Sequence, residues 1–401
     1  MSDLAAIRAA VGRALPASID FLSALVREPS VLGNEAGAQA VVEARLRELG
    51  FEVTSVKPDA DVLAQHAESG IPLLPYEGRR CLVGVLADGG RGLLLNGHVD
   101  VVSAEPSDRW TRAPFDAEVD DGRLYGRGAY DMKGGIAAML LAVEAALALG
   151  PLPTRLVYQS VIEEECTGNG ALAACLAGPL AEATVIAEPT NGGIDLVAVG
   201  VVWARITLEG VLRHASQSDQ ATNAVEDAFD VIASLRRLEE ELNEDPEPEF
   251  AGVGRPYLLN VGALHAGDWP SSAPGRAVLD VRLGFPLRMD PAEAQRRIAE
   301  AVARAAPEAA VEFRGLRAPG YAFPADSELV SLLSDSHEEL HGARPRPDPS
   351  RATTDLRFFQ GQAVCYGPSG DGLHGVDEWV DLESIADVAT VLALLIRRWR
   401  A

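Results

Sequence analysis

Apolar runs alternate with helix-like segments through the first half of the chain. Three consecutive leucines in "GLLLNGHVD" (92–100) are typical of a strand buried on both faces. Beyond it, the pattern predicts helices over 134–150 and 168–178, and strands over 154–165 and 183–190. This βαβαβ order predicts an α/β domain with a mostly parallel central sheet flanked by helices.

The pattern changes after Gly200, where apolar residues alternate with period two over 201–210, as in an antiparallel strand. Further segments indicate a helix over 223–242, strands near 258–267 and 276–286, and a helix over 291–306. The chain then continues with a helix over 326–341, a strand over 362–368 and a helix over 382–399. We predict one domain formed by 1–200 and 315–401, with a second domain, an α+β sandwich of helices on an antiparallel sheet, inserted at 201–314.

Composition narrows the classes of partner. With 59 acidic and 35 basic residues, the formal net charge is −24, which argues against nucleic acid or an anionic membrane surface as partner. An anionic substrate would therefore need a local basic site. Apolar residues make up 47% of the chain, which is enough for substantial cores.

Targeting and redox signals favour a cytoplasmic protein. The first thirty residues read as an amphipathic helical region with no secretory signal, and no continuous apolar run approaches the roughly 18 residues of a membrane span. The four cysteines are scattered without a CxxC pair. Neither a disulfide framework nor a thiolate zinc site is expected.

Acidic and imidazole side chains recur where strands of the first domain end, which is the edge where open α/β sheets form their sites. They are His98 and Asp100, Asp131 in "GRGAYDMKGG", the run Glu163 to Glu165, Glu188 in "EPT", and His374 in "GDGLHGVDEW". Buried carboxylates are costly unless partnered, and cations offset that cost. Histidine together with carboxylate suits zinc, and this set is large enough for two ions sharing one carboxylate.

The motifs "GHVDVV", "GRGAYDMKGG", "EEECTGNG", "EPT", "HAS" and a late "HG" follow in the order found in one enzyme family. The chain resembles, over nearly its full length, the dinuclear-zinc family of acetylornithine deacetylase, succinyl-diaminopimelate desuccinylase, carboxypeptidase G and aminoacylase. That resemblance implies two Zn²⁺ per chain, with Co²⁺ or Mn²⁺ as substitutes. It assigns His98, Asp131 and Glu188 to one ion, and Asp131, Glu165 and His374 to the other.

The resemblance also implies that 1–200 and 315–401 form the catalytic zinc-binding domain, and that the inserted sandwich is a ferredoxin-like lid and dimerisation domain. It assigns the remaining roles as well. Glu164 corresponds to the general base, and Asp100 to the carboxylate that orients the His98 ring. His214 in "RHAS" matches a family histidine of the inserted domain that stabilises the oxyanion. In dimeric members this histidine reaches into the partner subunit's site. A cis peptide is expected after Asp131. Substrate contacts are expected from Arg282, which would hold a carboxylate, and from Thr353, Thr354 and Gly367.

Several alternatives remain at this stage. His98 alone could be an ordinary loop histidine, Asp131 a helix cap, and Arg282 half of a surface ion pair. The family's asparagine motif in the inserted domain is absent, and Ser271 or Ser272 occupies that region. The leading interpretation is a deacylase of N-acyl amino acids that forms a homodimer through the inserted domain. A dipeptidase or carboxypeptidase of the same family is the first alternative, and a non-catalytic binding protein on this fold is the second.

Overall fold

A six-stranded sheet forms the centre of the larger part of the molecule. The computed structural model describes residues 3–87 and 90–400. Within these residues the helices are α1 (Asp3–Val26), α2 (Ala36–Glu48), α3 (Ala60–Leu63), α4 (Gly134–Leu147), α5 (Asn169–Ala177), α6 (Ala224–Leu242), α7 (Pro291–Ala305), α8 (Glu328–His341) and α9 (Leu382–Arg398). The strands are β1 (Glu52–Val56), β2 (Cys81–Leu86), β3 (Gly92–His98), β4 (Glu118–Asp120), β5 (Arg123–Tyr125), β6 (Arg155–Val161), β7 (Ala183–Ile186), β8 (Val197–Ala198), β9 (Gly200–Glu209), β10 (Arg213–His214), β11 (Leu259–Ala266), β12 (Ser272–Ala273), β13 (Arg276–Phe285), β14 (Ala310–Ala318), β15 (Tyr321–Ala322), β16 (Gln362–Cys365), β17 (Gly370–Asp371) and β18 (Trp379–Asp381).

The central sheet has the order β1-β2-β6-β3-β7-β16. The four strands from β6 to β16 pair in parallel, whereas β1 and β2 add an antiparallel edge. All seven residues of β3 are buried, as its apolar run predicts. Helices α1, α4 and α9 pack on one another, and α4 is buried on nearly every face because its residues are alanine, leucine and other apolar types. The expected mostly parallel α/β sheet is confirmed.

A second, antiparallel sheet has the order β11-β13-β9-β14. Helices α6 and α7 pack on it and on each other, which gives a βαββαβ sandwich. Its hydrophobic core runs from Val199 to Ala318 and is separate from the core of the central sheet. The predicted inserted domain at 201–314 and the catalytic domain at 1–200 and 315–401 stay predictions, which this separation of two cores supports.

Some elements differ from the sequence-based expectation. The strand expected over 154–165 ends at Val161, so the three glutamates lie in the turn that follows it. The sequence patterns did not predict the small sheet β17-β18-β5-β4 or the edge strands β1 and β2. Their strands are short or flanked by polar loops, so their apolar periodicity is weak.

The N-terminal helix is part of the main core. Of the described helices, α1 alone is long and apolar enough to cross a membrane, by length and composition only. Its buried residues pack towards α4 and α9. All four cysteines are free, in agreement with the expectation of no disulfide framework.

Candidate metal centre

The first side chain of the site stands at the end of β3. His98 is 1% exposed, and its Nδ1 lies 2.9 Å from the backbone carbonyl oxygen of Asp100. This contact turns Nε2 towards the acidic residues. The Asp100 carboxylate was expected to orient the ring, but its nearer oxygen lies 3.7 Å from Nδ1. It accepts instead the backbone N–H groups of Glu164 (3.3 Å) and Glu165 (3.2 Å), so that it anchors the glutamate turn.

The turn after β6 directs three adjacent glutamates to different places. Glu163 has a left-handed backbone (φ 65°) and a fully buried side chain. Its carboxylate pairs with Arg79 and accepts hydrogen bonds from Tyr76 Oη (2.9 Å) and Thr167 Oγ1 (2.6 Å). With Glu163 fixed inward, the next two residues face the site. Sequence patterns gave no sign of Arg79 or Tyr76, because both lie more than eighty positions earlier in the chain.

Asp131 stands between two histidines. Its Oδ1 lies 3.3 Å from His98 Nε2, and its Oδ2 lies 3.3 Å from His374 Nε2. Glu188 Oε2 is 3.8 Å from His98 Nε2, and Glu165 Oε2 is 3.1 Å from His374 Nε2. The structure thus brings together all five residues expected to bind metal, in two groups that share Asp131.

The expected general base is close to the same cluster. Glu164 Oε2 lies 3.9 Å from His98 Nε2, and the peptide after Asp131 is cis, as the resemblance implied. Burial raises the pKa of Glu164 well above its ordinary value. A carboxylate in such surroundings takes up a proton readily.

The negative charge of the carboxylates in this cluster favours cationic partners. Burial by itself lowers the pKa of His98, but the carboxylates of Asp131 and Glu188 outweigh it and raise that pKa well above its ordinary value. The His374 side chain is half exposed. Its partial loss of hydration lowers its pKa, but the carboxylates of Asp131 and Glu165 outweigh this effect and raise the pKa to about 11. Although burial opposes it, the two imidazoles hold the pKa of Asp131 below its ordinary value.

The donor atoms fit metal ions. Among the described residues, His98 Nε2 and Glu188 Oε1 are buried without a hydrogen-bond partner. Ligand atoms of His98, Asp131 and Glu165 lie within 4.8 Å of one another. Imidazole nitrogen and carboxylate oxygen are ligands that zinc and related divalent ions accept.

A cavity of about 550 Å³ opens from this cluster to the second sheet. Arg282 lines it from β13, together with Thr353 and Thr354 from the other side. Burial lowers the pKa of Arg282, whose Nη2 donates to the Arg351 carbonyl at 2.9 Å. The Thr353 hydroxyl has no partner among the described residues, whereas the Thr354 hydroxyl lies 2.8 Å from Tyr321 Oη.

Gly367 does not line the cavity described here. Its N–H donates to Thr190 Oγ1 at 2.8 Å, and a Cβ at this position would lie 2.1 Å from the backbone oxygen of Glu188. Glycine is needed at this position for close backbone packing beside Glu188. The expected substrate contact of Gly367 stays a prediction.

His214 stands apart from the cluster. It is exposed on β10 and does not line the cavity. The Ser216 N–H donates to its Nδ1 at 3.1 Å. Within one chain, the structure therefore does not bring His214 to the residues expected to bind metal.

Comparison with known proteins agrees with this architecture. The family model described as peptidase family M20/M25/M40 matches residues 94–398. This chain belongs to that family. Succinyl-diaminopimelate desuccinylase of Methylocella silvestris is 28% identical over 403 residues, which cover 95% of this chain and 98% of the relative. The resemblance found in the sequence is confirmed, and the chain is a metal-dependent hydrolase of amide bonds.

Solved structures show the same fold. The dipeptidase Dug1p from Saccharomyces cerevisiae matches with a TM-score of 0.81 at 16% identity, over 100% of this chain and 99% of that chain. The YXEP protein of Bacillus subtilis, a dinuclear metal-binding peptidase from the M20 family, matches with a TM-score of 0.60 at 14% identity. That match covers 96% of this chain and 99% of that chain.

Proposed function

We propose that this enzyme hydrolyses the amide bond of an N-acyl amino acid and uses two metal ions, with zinc as the first candidate. His98, Asp131 and Glu188 would hold one ion, and Asp131, Glu165 and His374 the other. Bound ions would polarise the substrate carbonyl and lower the pKa of water. The distances between these side chains and the matching family support this assignment.

Glu164 is the proposed general base. Its buried carboxylate takes a proton from the attacking water and returns it to the nitrogen of the leaving amine. Asp100 holds the turn that presents Glu164 through two backbone hydrogen bonds. Residues of the second sheet line the side of the cavity away from the cluster.

Arg282 carries the proposal that the substrate is an amino-acid derivative. Arg282 lines the cavity and forms no ion pair among the described residues, since the nearby Asp280 pairs with Arg205. In a chain of net charge −24, a partly buried cation without a countercharge favours an anionic ligand. The free α-carboxylate of an N-acyl amino acid fits this position.

The test is hydrolysis of a panel of N-acyl amino acids by the zinc-loaded enzyme, with each substrate paired to its α-carboxamide analogue. We expect R282M to raise KM for the carboxylate substrates about 10- to 100-fold, because a charge-assisted hydrogen bond is lost. R317M is the matched control, since Arg317 lies on the same sheet, donates to the Ser69 carbonyl and does not line the cavity. Equal hydrolysis of the carboxylate and carboxamide substrates would contradict the assignment.

One observation favours a dipeptidase as second candidate. Asp195 lines the same cavity, and burial, together with Asp348 and Glu188, raises the pKa of this carboxyl to about 7. A free α-amino group of a dipeptide would offset its charge, whereas an acyl group would not. If D195N lowers hydrolysis of dipeptides and spares N-acyl amino acids, the dipeptidase assignment is favoured.

The assembly and the location of the enzyme are also proposed. Helix α6 and the edge strands of the second sheet would form the interface of a homodimer. His214 would then act in the partner subunit's site. A cytoplasmic location stays a prediction from the sequence.

A further inference from the structure

Glu378 ties together the two loops that carry Asp131 and His374. Its side chain is fully buried, and each carboxylate oxygen accepts two hydrogen bonds from the segment 127–131. Oε2 accepts from Arg127 Nη1 (2.6 Å) and from the Gly128 N–H (3.0 Å). Oε1 accepts from the N–H groups of Tyr130 (2.9 Å) and Asp131 (3.1 Å). One carboxylate four residues after His374 thus holds the backbone on which Asp131 stands.

The His374 loop depends on such contacts. His374 and Asp377 both have left-handed backbones (φ 55° and 54°), which residues with a side chain rarely adopt. Arg127 Nη2 donates to the Gly375 carbonyl at 2.8 Å, so the same guanidinium contacts both Glu378 and the turn beside His374. Thr111 adds hydrogen bonds from its N–H and hydroxyl to the Asp377 carboxylate.

The two imidazole groups of the site differ in how they are supported. His98 ends β3 and Glu188 follows β7, and these two strands pair in parallel inside the central sheet. The His374 side chain is 51% exposed and stands on a loop. The position of its Nε2, 3.3 Å from Asp131 Oδ2, is therefore set by the contacts that Glu378 and Arg127 make.

We propose that Glu378 is a positioning residue that sets the separation of Asp131 and His374. Loss of the Glu378 charge weakens one metal site more than the other. The more affected site is that of Asp131, Glu165 and His374, and the less affected site is that of His98, Asp131 and Glu188. The inference rests on the proposed pair of metal ions. It concerns only the side chains that fix the geometry of two of the ligands.

The test is E378Q, which keeps the shape of the side chain but replaces one acceptor oxygen by an NH₂ group that cannot accept. Either Arg127 and Gly128 or Tyr130 and Asp131 then lose their acceptor. The protein is loaded with Co²⁺ and dialysed against a graded chelator series. Bound cobalt per chain is then measured by mass spectrometry, and its visible absorption is recorded. We expect the affinity for the weaker ion to fall about 10- to 100-fold, as when partners of metal ligands are removed. The spectrum of the ion that remains should match that of singly loaded wild type.

The matched control is E239Q. Glu239 is also buried, accepts a backbone N–H from Leu259 (3.0 Å) and pairs with Arg236 (2.9 Å), but it stands on α6, a helix of the second core. E239Q should retain both ions with wild-type affinity. E378D, which restores the charge, should recover part of the lost affinity.

The outcomes separate this inference from the proposed function. If E378Q binds two ions as tightly as wild type, the inference is wrong and the proposed function stands. If wild type itself binds no metal, the proposed function fails. If circular dichroism shows that E378Q does not fold, R127M takes its place. R127M must then show the same preferential loss of one ion. If R127M binds both ions with wild-type affinity, the inference is overturned.

Discussion

Arg79 shows how one buried side chain supports the site without touching it. It is 8% exposed and pairs with both Glu35 and Glu163, which are themselves buried. Two carboxylates around one guanidinium leave no charge without a partner. Since Glu163 precedes Glu164, the proposed general base, this trio also fixes the start of the turn that presents it.

We expect R79M to lower the free energy of unfolding by about 3–5 kcal/mol, because two buried carboxylates lose their counterion. Urea unfolding monitored by circular dichroism measures this change. R296M is the control, since Arg296 forms exposed pairs with Glu293 and Glu300, and its loss should cost less than about 1 kcal/mol. Similar losses in the two variants would show that the buried trio adds nothing beyond a surface ion pair.

At this scale the sequence was informative only about residues within recognisable motifs. His98, Asp131, Glu165, Glu188 and His374 could be predicted because each lies in a motif of known order. Glu35, Arg79 and Glu378 could not, since their partners lie far away in the chain and nothing in their own surroundings indicates the pairing. His98 and Asp100 show a second limit, because the spacing predicts that the two interact but does not predict that the backbone oxygen makes the shorter contact.

Among the elements, α8 carries a pH-sensitive contact on its inner side. His337 Nδ1 lies 2.8 Å from Tyr366 Oη, and the ring centroid is 4.4 Å from that of His341. Burial, together with His341, lowers the pKa of His337 to about 4. An unfolded chain would have a histidine pKa near 6.5. Because the folded value is the lower one, His337 favours the folded state above about pH 6.5, and this contribution is lost as the pH falls towards 4.

We therefore expect wild type to lose more stability than H337Q between pH 7 and pH 5, by about 1 kcal/mol once the partial exposure of the ring is allowed for. Urea unfolding of both proteins at the two pH values gives the difference, in which titrations common to both cancel. Between pH 7 and pH 8 the two proteins should change in parallel. An equal loss in both proteins on acidification would contradict the lowered pKa of His337.

The elements themselves differ in how well sequence patterns predict them. Long periodic segments such as α6, α7 and α9 begin and end within a residue or two of the expected positions. Strands of two or three residues, as in the small sheet with β17 and β18, carry too little periodicity to be found. That small sheet matters for function, because it forms the base of the loop that bears His374 and Glu378.

At the scale of the whole molecule, the two most exposed large apolar side chains among the described residues belong to the segments that carry β10 and β12. Leu212 is 66% exposed and Trp269 is 68% exposed, and strands β10 and β12 pair His214 with Ser272 between them. Exposed large apolar side chains close together are a feature of protein interfaces. An interface here would suit the proposed homodimer and the proposed role of His214 in the partner subunit's site.

Mixing two inactive variants tests this arrangement. H214A and E164Q should each have little activity as pure proteins, since one lacks the proposed oxyanion donor and the other the proposed base. In a mixed dimer, the chain with intact Glu164 receives His214 from its partner, so one of the two sites is complete. Random exchange of subunits at equal amounts should restore roughly a quarter of the wild-type activity, as expected for an isologous dimer. Two results would place the function of His214 within its own chain or outside catalysis. One is no recovery of activity after subunit exchange has been confirmed. The other is full activity of a protein that light scattering shows to be a monomer.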